Sequence, residues 1–132
     1  MKKNLALLIV VSILVYISIG WGGLCPQIKK LSCSLGYCVR TIAVDDVTPD
    51  ISGGNIFVTS ANNGATAITD LDSPVAGQVV TIVCGSTTNA STLGDSGNFT
   101  LTGAWSPDTV GDNISLYVHA DNTYYEIGRS NN

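Results

Sequence analysis

Residues 113–119 read NISLYVH. Ile114, Leu116 and Val118 fall on one parity, and Ser115, Tyr117 and His119 on the other. A period of two marks a strand with one face on a core and the other toward solvent. The same texture extends along the chain on both sides. In NFTLTG (98–103), Phe99 and Leu101 alternate with threonines, and in TYYEIGR (123–129) Tyr125 and Ile127 alternate with Tyr124, Glu126 and Gly128. Strands are expected over 55–60, 66–70, 78–84, 98–103, 113–119 and 123–129, separated by Gly, Asn, Asp and Ser. QVVTIVC (78–84) is apolar at nearly every position, which predicts a strand covered on both faces. Pro49 and Gly53-Gly54 break any regular element between 41 and 55. No sustained helical period follows Gly23, so the chain beyond it is expected to be all-β.

The N-terminus, MKKNLALLIVVSILVYISIGWGG, is of another kind. Lys2 and Lys3 precede an apolar run, Leu5–Ile17, with small residues at Ser18 and Gly20. This is the layout of a secretory signal peptide. Extended through Trp21, the run also approaches the ~20 residues that cross a bilayer. Residues 1–23 are therefore expected to form a hydrophobic helix, either a cleaved signal, a retained membrane anchor through residues 5–21 or the buried core of a filament. Each places the rest of the chain outside the cytosol. Residues 24–50 read as a cysteine-bearing linker, and 51–132 as the β module.

The four cysteines suit an oxidising compartment. Cys33 and Cys38 flank SLGY, a loop short enough to close with Gly36 in the turn, and Cys25 is then left to pair with Cys84. Four cysteines allow three connectivities, and spacing does not choose among them. No CxxC pair occurs and the single histidine is remote, so no zinc site is expected.

Charge is segregated. Residues 1–44 hold five basic side chains and no acid, whereas residues 45–132 hold ten acids and one base, Arg129, for a net charge of −9. A surface this acidic repels phosphate backbones and excludes nucleic acid as a partner. A β domain of about ninety residues with few aromatics has a thin core. Its open sheet edges and apolar faces are covered economically by identical copies, so a homo-oligomer is expected.

Four segments, in order, carry a resemblance: ISGGNIF (51–57), ATAITDLDSPVAGQVVTIV (65–83), GDNISLYV (111–118) and YYEIGRS (124–130). Together they resemble the C-terminal β-rich modules of bacteriophage tail fibres and tail spikes and of related surface proteins. The resemblance covers residues 50–132 and none of the N-terminus. It implies a β-helix or solenoid-like module serving as a stalk, cap or trimerisation element. Tyr124 stands where that pattern has Trp, and Gly128 where it has Ser. Tail proteins assemble in the cytosol, so an export segment suggests a cell-surface or secreted form.

Chemistry is sparse. Ser115, His119 and Asp121 lie along one strand and its end, too far apart at ~3.3 Å per residue for a catalytic triad. Asp70 and Asp72 lack a complete calcium pattern. No catalytic, cofactor or metal residue is assigned. Trp105, Tyr117, Tyr124 and Tyr125 are the candidates for a subunit interface, where aromatics are enriched, or for a face that stacks on surface glycans. Arg129 is expected to pair with Asp112 of a neighbouring rung or chain, since a bidentate arginine–carboxylate contact fixes geometry as well as adding energy. The function expected is that of an exported, self-assembling fibre, filament or trimeric stalk. A glycan-binding adhesin is the alternative, and a fragment of a β-helical polysaccharide hydrolase is the least favoured reading.

Overall fold

A computed structural model of the chain describes residues 38–132. The hydrophobic N-terminus, Cys25, Cys33 and the first part of the linker lie outside the described residues. Eight strands are present: β1 (Val39–Thr41), β2 (Ile56–Val58), β3 (Thr66–Ile68), β4 (Val79–Val83), β5 (Ser91–Leu93), β6 (Phe99–Thr100), β7 (Asn113–Val118) and β8 (Tyr124–Ser130). Among the described residues there is no helix, and the module is all-β.

Six strands form one sheet in the order β1-β2-β4-β7-β8-β6, and β3 and β5 form a second. The pairs β1–β2, β2–β4, β3–β5 and β6–β8 are parallel, whereas β7 runs antiparallel to both β4 and β8. Parallel neighbours need a long crossover, and here the crossovers are irregular loops rather than helices. The sheet begins before residue 51: β1 pairs Val39, Arg40 and Thr41 with Ile56, Phe57 and Val58, and Ile42 is in the core. Residues 39–50 therefore belong to the module and not to a linker.

The alternation read in residues 113–119 places Ile114, Leu116 and Val118 inward, each fully buried. Opposite them in register lie Ile82 and Val80 of β4. The inner sides of β3 and β5 add Ile68 and Leu93, and Phe57, Leu71, Trp105 and Tyr124 complete one core. Each such side chain contributes about 1.5–3 kcal/mol on burial. β4 corrects the expectation of cover on both faces. Val80 and Ile82 are buried, but Val79 is exposed and Thr81 and Val83 are only half-buried. The second face of this sheet is left partly open, its outward side chains half-buried or exposed.

The loops are held by side chains standing in for backbone. Asn62 is buried; its Oδ1 accepts from the Asp45 amide at 2.8 Å, and its Nδ2 donates to the Asn89 carbonyl at 2.8 Å and to Ser91 Oγ at 3.0 Å. Asn89 Nδ2 returns a bond to the Asn62 carbonyl at 3.0 Å. Asp45 and Asn89 adopt φ of 59° and 47°, a left-handed turn that Asp and Asn tolerate. A buried amide with its groups satisfied fixes the register of the turns it joins, because any slip strands its donors and acceptor. Gly85 follows β4 against the Thr59 carbonyl, a close approach with no room for a Cβ.

Candidate functional surface

The sequence candidates separate into a buried set and an exposed set. Trp105 is 1% exposed and Tyr124 is 0% exposed. Neither is available to a partner chain or a glycan, and both are core residues. Tyr124 packs its ring on Phe99 with centroids 5.0 Å apart, and its hydroxyl donates to the Leu71 carbonyl at 2.9 Å and lies 3.2 Å from Asp70. Trp105 is held by reciprocal backbone bonds with Leu93, at 2.8 and 2.9 Å.

Asp112 and Arg129 do not pair with each other. Asp112 is buried and accepts three backbone amides, from Asn132 at 2.8 Å, Thr109 at 3.1 Å and Asp108 at 3.2 Å. Those bonds, the Asn132 amide foremost, hold its carboxyl below the ordinary range. Arg129 grips Glu126 with Nε to Oε1 and Nη2 to Oε2, both at 2.7 Å, and also donates to the carbonyls of Gly103 at 2.8 Å and Ala104 at 3.3 Å. The reason is a β-bulge. Leu116 pairs with Glu126 and Ser115 with Gly128, so Ile127 is an extra residue in β8. The extra residue reverses the parity of the rest of the strand and puts Glu126 and Arg129 on one face instead of two.

Cys84 is a free, buried thiol that donates to the Ser86 carbonyl at 3.3 Å. Its pairing with Cys25 does not form, because Cys84 points inward at the end of β4, on the parity of Val80 and Ile82. Burial pushes its thiol pKa up, which lowers its reactivity. Cys38 is disulfide-bonded. A maleimide reagent is therefore expected to leave Cys84 unlabelled in the native protein and to modify it only after unfolding. Labelling of the native protein at the rate of an exposed thiol would show that the residue is open.

Tyr117 and Tyr125 remain exposed, at 37% and 41%. They are direct cross-strand partners on β7 and β8, and Val79 of β4 continues the row. His119 sits beside them, with its ring centroid 6.4 Å from Tyr117 and 5.9 Å from Tyr125, edge-on to both. Its Nδ1 lies 2.9 Å from Asp121 Oδ1. Hydrogen bonds from the Thr123 hydroxyl, then from His119, hold Asp121 well below the usual carboxylate range. Ser115 shares a hydrogen bond with Thr81 at 2.9 Å, so no serine–histidine contact forms here.

These residues belong to a larger surface. Parity and register place Val39, Ile56, Thr81, Ser115 and Gly128 in one outward row across the sheet, and Thr41, Val58, Val83, Asn113 and Ser130 in a second. No outward position in these rows, or in the row of Val79, Tyr117 and Tyr125, carries a charge. The charged residues of the six strands, Arg40, Glu126 and Arg129, all take the inward parity. Sequence reading missed this surface. Its signal is the excess of apolar residues in QVVTIVC, which cover on both sides would explain equally well. Neither protein-family models, nor curated proteins, nor solved structures yield a match to this chain.

Proposed function

We propose that the chain is an exported structural module, β-helix-like in construction, that self-associates as part of a fibre or stalk at the cell surface or outside the cell. The observation that carries this reading is the way parallel pairs recur in step. β1 and β2 pair at an offset of 17 residues (39 to 56), β2 and β4 at 25 (56 to 81), and β3 and β5 also at 25 (66 to 91). A further parallel bridge joins Asp50 to Asp72 at an offset of 22. Successive passes of the chain thus lie one on the next along two strand lines and a third marked by the Asp50–Asp72 bridge, as the turns of a short coil would. The buried amide of Asn62, with Asn89 bonded back to it from the surface, ties the turns together. A unit held this way resists bending and presents flat outer surfaces, as a stalk must.

The far side of the coil favours lateral over end-to-end assembly. Beyond β6, the edge of β8 is occupied by residues 102–104, through Thr102 to Glu126 and Arg129 to the Gly103 and Ala104 carbonyls. An edge covered in this manner does not accept a new strand. A second reading, a glycan-binding adhesin, rests on the open rings of Tyr117 and Tyr125 with Asp121 nearby as an acceptor.

The test is the mass and assembly state of the native protein recovered from its own cell envelope and medium, by intact-mass spectrometry with electron microscopy of the same fraction. Discrete oligomers or short stalks are expected. A stable monomer at every concentration would sink the scaffold reading. Loss of glycan-array binding on Tyr125→Ala in such a monomer would put the adhesin in its place.

A further inference from the structure

We propose that the uncharged outer face of the six-stranded sheet is the contact between copies of this chain, with Val79, Tyr117 and Tyr125 forming its row at one end. The inference rests on the self-assembly reading and says where the copies meet. Residues 38–132 hold ten acids against Arg40 and Arg129, a net charge of −8. Two such modules repel each other through most of their surface, and the repulsion is weakest where charge is absent. The outer sheet face meets that condition. It is also where exposed apolar area collects: Val39, Val79, Tyr117, Tyr125 and Ile127 are five of the nine large hydrophobic side chains left exposed among the described residues.

The nature of the occupant comes from the same chemistry. No strand carboxylate takes the outward parity, and Asp121 stands only at the rim beside His119, so a basic partner would gain little from the face. A neutral, flat, largely β-branched surface is complementary to another of its own kind. A closed symmetric assembly brings the same patch to itself. Sheets stacked in this way lie ~10 Å apart with their side chains interleaved. The size of the face sets the expected strength. Six strands at ~4.8 Å spacing and up to seven residues at ~3.3 Å per residue give a patch of a few hundred Å² per copy, on the order of 400 Å². Two copies then bury less than the ~1,200 Å² of a standard stable interface. The contact is therefore reversible, and assembly depends on concentration.

The experiment uses the full chain in the form its host delivers, with mass read by analytical ultracentrifugation over a concentration series. Tyr117→Lys and Val79→Lys each place on the face a cation that a contact between copies would have to strip of water. Both variants are expected to weaken association by at least about 100-fold. Both side chains are exposed, so native circular dichroism should be retained. Val110→Lys, an exposed apolar position outside the sheet, is expected to leave the mass unchanged. If wild type and the face variants are equally oligomeric, the face is wrong and the scaffold reading stands. If wild type is monomeric throughout, both fall. A monomer that binds arrayed glycans through Tyr125 would assign the face to sugar and overturn the contact proposed here.

Discussion

Tyr124→Ala is expected to destabilise the module by about 3–5 kcal/mol, the cost of emptying a fully buried aromatic site. Total stability in a domain of this size is typically ~5–15 kcal/mol, so the variant sits at the edge of folding. Its ring fills space against Phe99, and its hydroxyl satisfies the Leu71 carbonyl from the opposite side of the core. Tyr124→Phe keeps the ring and loses the hydroxyl contacts, for which about 1–1.5 kcal/mol is expected. Tyr125→Ala, one residue on and facing outward, should change stability by less than about 1 kcal/mol. Urea unfolding of the three variants checks the order, and equal losses at 124 and 125 would contradict the placement of these rings.

The hydroxyl also makes a pH-dependent contribution. Burial first, and then the negative charge of Asp70, push the Tyr124 pKa up from 10.0 to about 12. A group whose folded pKa is raised stabilises the native state fully below the unfolded value, and the contribution is lost as pH rises through the folded value. Alkaline loss of stability between about pH 10 and 12 is therefore expected to be smaller in Tyr124→Phe than in wild type.

The strands that carry most of the core were readable because they alternate over several residues. β7 is the clearest case: Ile114, Leu116 and Val118 are buried as their parity requires. β1 (VRT) and β5 (STL) were not readable, since three residues offer too little pattern and their pairing depends on β2 and β3 from elsewhere in the chain. Aromatics were misassigned for a related reason. A tyrosine in a strand can face either way, and the choice between Tyr124 and Tyr125 was set by parity with Glu126. The Arg129 partner was misread because a bulge shifts parity without changing composition. Its one sequence signal was Gly128 inside an otherwise strand-forming run, a common mark of a bulge. The charge-free face was visible only once register was known, because its residues come from five separate segments.

Arg129 demonstrates the consequence of that bulge. Arg129→Ala is expected to cost about 2–3 kcal/mol, less than the 3–5 kcal/mol of a fully dry pair because the arginine side chain stays 23% exposed. Glu126, only 4% exposed, would be left with its charge supported by Thr102 alone, and the Gly103 and Ala104 carbonyls would lose their donors. Arg129→Lys should recover little, since one ammonium cannot hold both carboxylate oxygens and reach two carbonyls. The Glu126→Ala/Arg129→Ala double variant should be less destabilised than the sum of the single changes, because it leaves no buried charge unpaired. The hydrogen bonds from Arg129, with Thr102 in support, lower the Glu126 pKa from 4.5 to about 2. For a depressed carboxylate, the stabilisation is present above the unfolded value and disappears as pH falls through the folded one. Wild type should therefore lose stability between about pH 4.5 and 2, and Arg129→Ala should lose less over that window because its Glu126 titrates nearer the ordinary value. Parallel acid-unfolding curves for the two proteins would show that the clamp binding β8 to residues 102–104 is not made in solution.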